Sequence, residues 1–324
     1  MYQHVDARLP GQVKNLLSPR RKEYLMLVPD EVRKCVVYLG HKHPRCDEPK
    51  IGGTAFCVSI PNPGIGRASC YLVTAKHNLD GIAQLSDQGL ADGKVHLRYN
   101  KSLSGVDFNT PNVSDWYSHP TEAQSVDVAV LPINEFINMD ILFFRLDPKE
   151  VADTELIAEK QIGPGDEIFT VGLFSHRPGT ERNFPVIRVG NIAGMPEEPI
   201  EVNWNGVKRM AAYLIEARSI GGMSGSPVFV NLGPTWETDR REGRFYILGL
   251  IHGHWDYPEP DVDYLSLADT DGKKKKKGRV NTGIAIVVPM NKILEVINQP
   301  SLAKKRQSFV DEERRKRSQW AVPD

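Results

Sequence analysis

Two sets of short β-rich runs, separated by turn residues and divided by a break, constrain this chain more than any other feature. The first set holds VRKCVVYL (32–39), GTAFCVSI (53–60), CYLVTA (70–75), KVHLRY (94–99) and VDVAVLPI (126–133). After a break around 148–164 the second holds EIFTVGLF (167–174), PVIRVGNIAG (185–194), MAAYLIEA (210–217), SPVFV (226–230), FYILGLI (245–251) and TGIAIVVP (282–289). Branched and aromatic side chains in runs of this length suit pleated, buried strands, and 27 Gly with 23 Pro supply the turns. The pattern predicts an all-β fold of two antiparallel lobes, each a sandwich or barrel. A parallel α/β sheet would need long helical stretches between strands, and there are none. At 324 residues the chain buries about three-quarters of its unfolded surface, enough for two cores. Two short helices are expected, PKEVADTELI (148–157) and MNKILEVIN (290–298). In the second, Ile293, Leu294 and Ile297 share a face.

The ends differ in texture. Residues 1–31 are polar, broken by Pro10, Pro19 and Pro29, and read as an extension ahead of the first lobe (32–147). A linker (148–164) leads to the second lobe and its closing helix (165–298). The basic segment 299–324 carries Lys304, Lys305, Arg306, Arg314, Arg315, Lys316 and Arg317, interrupted by Asp311, Glu312 and Glu313, and reads as a solvated, fraying tail. Lys273–Lys277, between two strand-like runs, reads as a solvated loop. With 41 basic and 41 acidic residues there is no net field toward nucleic acid or anionic lipid. A nucleic-acid surface on the loop and tail is the alternative, disfavoured because no RNA-binding signature accompanies it. The longest apolar run, Ile284–Met290, is strand-sized, so no membrane span is expected. The N-terminus lacks a basic segment followed by an apolar stretch, so the expected location is cytoplasmic. Cys35, Cys46, Cys57 and Cys70 crowd the first quarter, as reduced thiols would rather than a disulfide framework. Cys35, His41, His43 and Cys46 invite zinc, but their spacing contains no C-x2-C pair, and neither metal nor cofactor is expected.

The segment IGGMSGSPVF (220–229) is the strongest chemical signal: a small-residue turn that exposes the Ser224 hydroxyl and runs into a strand. Gly222 and Gly225 allow dihedrals that let successive N–H groups converge, as an oxyanion site requires. A serine hydroxyl needs a base to become nucleophilic. YLVTAKHNL (71–79) supplies His77, and SVDVAVLPI (125–133) supplies Asp127, a carboxylate too costly to bury without a partner.

TAKH, DVAV and GMSGSP resemble the histidine, aspartate and serine motifs of trypsin/chymotrypsin-like serine peptidases, and Gly53-Thr54-Ala55-Phe56 resembles the strand preceding the histidine. The order His77, Asp127, Ser224 agrees; α/β-hydrolases run Ser, Asp, His and subtilisins Asp, His, Ser. The resemblance covers roughly 32–298 and implies two antiparallel β-barrels of the chymotrypsin-like type with a C-terminal helix. It implies Ser224 as nucleophile, His77 as base and then acid, Asp127 as its orienting partner, and the Gly222 and Ser224 N–H groups as the oxyanion hole. The expected function is a serine endopeptidase acting on protein or peptide substrate through an acyl-enzyme.

Departures from the family pattern matter as well. Asn78 stands where digestive members have cysteine. Met223 stands where they have the aspartate that captures a newly cleaved N-terminus, so activation by clipping is not expected and a regulatory partner is one alternative restraint. This is similar to the bacterial trypsin-like and glutamyl-endopeptidase branches. The resemblance puts Arg218 at the floor of the specificity pocket and His252 and His254 along its wall. A cationic floor favours acidic side chains; the alternative is that Arg218 faces solvent and the histidines line a loop. The competing function is a silent protease-fold binding module.

Overall fold

The computed structural model describes residues 28–133, 138–147, 151–204, 206–217, 221–232, 245–258 and 279–320. Residues 1–32 group as a unit of their own, and everything below concerns 33–324. Lys273–Lys277 and Arg218 lie outside the described residues.

The first lobe is an eight-stranded sheet: β1 (Val36–His41), β2 (Lys50–Asn62), β3 (Arg67–Thr74), β4 (His96–Asn100), β5 (Val106–Asn109), β6 (Tyr117–Ser118), β7 (Ala129–Ile133) and β8 (Phe144–Arg145). Its order is β5-β4-β1-β2-β3-β7-β6, with β8 beside β2. All pairings are antiparallel except β2 with β8. β1 reads as a continuous apolar run because both of its faces are buried. Val37, Leu39, Ala55, Cys57, Leu72 and Trp116 belong to the core beneath the sheet.

The second lobe closes on itself. Strands β9 (Glu167–Gly172) and β10 (Val186–Gly194) precede a separate hairpin, β11 (Ile200–Asn203) and β12 (Val207–Met210). Then come β13 (Tyr213–Glu216), β14 (Pro227–Asn231), β15 (Phe245–Pro258) and β16 (Arg279–Pro289). The circuit β10-β13-β16-β15-β14-β9 is a closed barrel, which removes free edges, and Ile168, Ile192, Ile215, Val228, Leu248 and Val287 help fill it. The described chain is thus mostly strand, as expected, in an antiparallel-rich sheet and a closed six-stranded barrel. Buried Arg98 on β4 joins the lobes by donating to Asn183 Oδ1 at 2.7 Å and to the carbonyls of Gly179 and Thr180, each at 2.8 Å.

Four α-helices complete the described chain. α1 (Lys76–Asp87) directly follows β3 and was not anticipated; it buries only Leu79 and Ile82, and its sequence is otherwise largely polar. α2 (Thr154–Lys160) starts later than the 148–157 expectation because Asp153 caps it, accepting from Leu156 N–H at 2.9 Å. α3 (Met290–Ile297) matches the expected closing helix.

The largest departure is α4 (Pro300–Trp320), a 21-residue helix where a fraying tail was expected. Lys, Arg, Glu and Gln are good helix formers, and Leu302 and Val310 are buried. Charged residues attach the helix to the first lobe and to α3. Arg306 donates to Tyr71 Oη at 3.0 Å and to Ile297 O at 2.6 Å, Arg317 donates to Ile65 O, and Glu313 pairs with Arg67 at 2.9 Å.

Candidate active site

His77 is the second residue of α1, where the first backbone N–H groups of a helix have no intrahelical acceptor. Asp127 supplies one. Its Oδ1 accepts the His77 backbone N–H at 2.8 Å, and its Oδ2 meets the same residue's Nδ1 at 2.7 Å. A single carboxylate therefore fixes both the main chain and the ring of His77, and the positive end of the helix favours its charge.

Asp127 is wholly buried just ahead of β7. The segment before it is tied to α3: His119 Nε2 meets Glu295 at 2.8 Å, and Lys292 reaches Glu122 at 3.2 Å.

A second imidazole stands on the same carboxylate. His252 Nδ1 lies 2.5 Å from Asp127 Oδ2, and its ring meets that of His77 edge-on, with centroids 5.3 Å apart. An ionised carboxylate only accepts, so both Nδ1 atoms carry hydrogens, which leaves His77 Nε2 with its lone pair. Burial alone would raise the Asp127 pKa, but the two histidines outweigh it and hold the carboxyl well below its usual range. For His77, burial disfavours the imidazolium. The charge and hydrogen bond of Asp127, assisted by Asp80 and opposed by Lys76, prevail and raise its pKa.

The serine turn is stitched to the first lobe by Thr54, Thr74 and Asn78. The Ser224 carbonyl accepts from Thr54 N–H and Asn78 Nδ2, both at 3.1 Å. Thr54 Oγ1 donates to Gly222 O at 2.7 Å and accepts from Leu173 N–H at 2.9 Å, while Thr74 Oγ1 donates to Thr54 O at 2.7 Å. Gly225, at φ 84°, is required there: a Cβ would stand 2.1 Å from Thr54 O. Gly222 has φ 98°. Neither its N–H nor that of Ser224 makes a hydrogen bond among the described residues.

The Ser224 hydroxyl donates to the His252 carbonyl at 3.2 Å. Among the described residues no hydrogen bond joins it to His77. Catalytic hydrogen bonds are often unformed before substrate binds. A cleft of about 360 Å³ opens beside His77, lined by Leu39, Gly53, Asn78 and Ile82 among others.

The structure thus brings His77, Asp127, Ser224 and Gly222 into one neighbourhood. His252 joins it through a contact the sequence did not suggest: its ring is buried on Asp127. His254 is half-buried on β15 opposite Ala285. The bracing roles of Thr54, Thr74 and Asn78 were missed, although the GTAF and TAKHN runs that contain them stood out.

Two side-chain groups among the described residues converge as metal ligands might: His77, Asp127 and His252, and His119, Glu122 and Glu295. In the first, N···O separations of 2.5 and 2.7 Å are hydrogen-bond distances. Two ligand atoms each about 2.0–2.1 Å from a tetrahedral ion stand about 3.3 Å apart. In the second the Lys292 ammonium already sits on both glutamates.

No protein-family model and no curated protein matches the chain. Among solved structures it is similar to the active form of the Rv3671c protease from M. tuberculosis, at 15% identity and TM-score 0.40 over 86% of each chain. It is also similar to the inactive form of that protease, at 14% identity and TM-score 0.38, over 82% of this chain and 88% of that one. A serine endoprotease from Yersinia pestis aligns at 13% identity and TM-score 0.42, over 84% of this chain and 67% of that one. These likenesses are distant, and the functional reading rests on the geometry of the site itself.

Proposed function

We propose that the chain is a serine endopeptidase that cleaves peptide bonds through an acyl-enzyme. The observation that carries the reading is the double grip of Asp127 on His77, which leaves Nε2 free to act as a base, together with a serine turn whose Gly222 and Ser224 N–H groups make no hydrogen bond among the described residues. Ser224 Oγ turns from His252 O to His77 Nε2, passes its proton to the ring and bonds to the substrate carbonyl carbon. The resulting oxyanion is held by Gly222 N–H and Ser224 N–H, donors of a kind that contribute about 3–4 kcal/mol each. The imidazolium, stabilised by Asp127, gives its proton to the leaving amine as the C–N bond breaks. Water, deprotonated by the same ring, then releases the acid. Every group in this sequence comes from the chain. The expected partner is a protein or peptide substrate, and a cytoplasmic location is part of the proposal; no helix among the described residues is long and apolar enough to cross a membrane.

One observation favours a second reading, a silent binding module: the hydroxyl rests on His252 O, not on His77. Reaction with a fluorophosphonate, read by intact mass and peptide mapping, separates the two. One adduct on Ser224, absent in Ser224→Ala, supports the enzyme. An unreactive chain supports the module.

A further inference from the structure

We propose that His252 is a positioning residue that braces the nucleophile and the carboxylate at once. This rests on the reading of Ser224, His77 and Asp127 given above. The side chain of His252 donates Nδ1–H to Asp127 Oδ2 at 2.5 Å, and its carbonyl accepts the Ser224 hydroxyl at 3.2 Å. One residue of β15 therefore holds both the carboxylate that orients His77 and, in the resting site, the hydroxyl that must turn toward that ring.

The surroundings suit this role. His252 is 8% exposed, with the Trp204 ring edge-on at 5.8 Å. Trp204 directly follows β11, is itself buried, and has the Lys76 ammonium 5.6 Å from its ring centroid. Lys76 pairs with Asp80 at 2.6 Å. Among the described residues, the charged and titratable groups around the pair of imidazoles are Asp127, Lys76 and Asp80. The separate β11–β12 hairpin thus helps shield the His252–Asp127 bond from water, where such a bond is stronger than in solution.

With three N–H groups on Asp127, the carboxylate is fixed in orientation and its charge is shared between two rings. Without the His252 donor the charge bears on His77 alone, so His77 holds its proton to higher pH and is a base over a narrower range.

The test compares His252→Phe, which keeps a ring against Trp204 without a donor, with His252→Asn, which restores an N–H near the same place. Fluorophosphonate inactivation at pH 7 should slow about 10- to 100-fold in His252→Phe, the effect of losing a hydrogen bond to a charged group, and recover to within about threefold in His252→Asn. The loss should fall on the maximal rate and leave its concentration dependence unchanged. The His77 titration, followed by imidazole NMR, should move up in His252→Phe alone. Wild-type rate and titration in His252→Phe, or equal damage in both variants, overturns the proposal. A nitrogen spectrum of the wild-type chain adds a reading that needs no variant: a protonated His252 Nδ1 at pH 7 is expected, and an unprotonated one overturns the proposal. Failure of wild-type labelling would overturn the catalytic reading, whereas labelling indifferent to position 252 overturns only this inference.

Discussion

Replacing Asp127 by Asn tests the electrostatic centre of the site with almost no change in shape. The native carboxylate accepts three N–H groups, two on Oδ2 and one on Oδ1. A carboxamide has one accepting oxygen. Directed at the two rings, it turns its own NH2 onto the His77 backbone N–H; directed at that N–H, it turns NH2 onto both rings. Either way at least one buried donor is stranded, at about 1–3 kcal/mol. For a chain of this size that lowers Tm by roughly 2–6 °C. The catalytic loss should be larger, because a ring driven to its other tautomer presents N–H, not a lone pair, to Ser224. The corresponding change in an enzyme of this chemistry costs about ten-thousand-fold. The pH response distinguishes this from simple damage. Asp127 has a depressed folded pKa, so its contribution is present above the unfolded carboxylate value and fades as pH falls through that value toward the folded one. His77 has a raised pKa, so its contribution is complete below the unfolded imidazole value and is lost as pH rises through the folded one. Wild-type thermal midpoints should therefore drop below about pH 4, and the Asn variant should have a shallower acid slope, keeping only the shares of carboxylates such as Asp92 and Glu295. The assay is calorimetry across pH beside the fluorophosphonate inactivation rate. A variant that labels within tenfold of wild type, with the same acid slope, would refute the reasoning.

Three further changes probe the scaffold. Gly225→Ala drives a methyl to within 2.1 Å of Thr54 O at a backbone φ of 84°, and should cost about 3 kcal/mol or more in denaturant unfolding and abolish labelling. Thr54→Val keeps the shape but strands Gly222 O and Leu173 N–H, so a loss of about 2–4 kcal/mol and slower labelling are expected; unchanged unfolding would show that this stitch is dispensable. Arg306→Ala removes the bonds of α4 to Tyr71 Oη and Ile297 O, and should make 300–320 sensitive to limited proteolysis while the labelling rate stays unchanged.

What could be read from the sequence follows from burial. Strands enclosed on both faces, such as β1 and β14, are unbroken apolar runs and stand out at once. α4 did not, because its buried contacts are few and the cations that attach it resemble those of a solvated tail. α1 was hidden for a related reason: what holds its start is the Asp127 side chain, 50 residues away. His77, Asp127 and Ser224 could be singled out as candidates because the proposed chemistry calls for those residue types beside glycine-rich and apolar runs. The place of His252 was not, since nothing local distinguishes a histidine facing solvent from one turned onto a buried carboxylate. Thr54 is similar: its hydroxyl reads as an ordinary strand position until Gly222 and Leu173 are brought against it.

The most direct measurement is a crystal structure of the chain after reaction with a peptidyl phosphonate. The account predicts phosphorus bonded to Ser224 Oγ, its anionic oxygen within hydrogen-bond reach of Gly222 N–H and Ser224 N–H, and His77 Nε2 facing the adduct while Nδ1 stays on Asp127. An adduct elsewhere, or one on Ser224 whose oxygen points away from both amides, would contradict it.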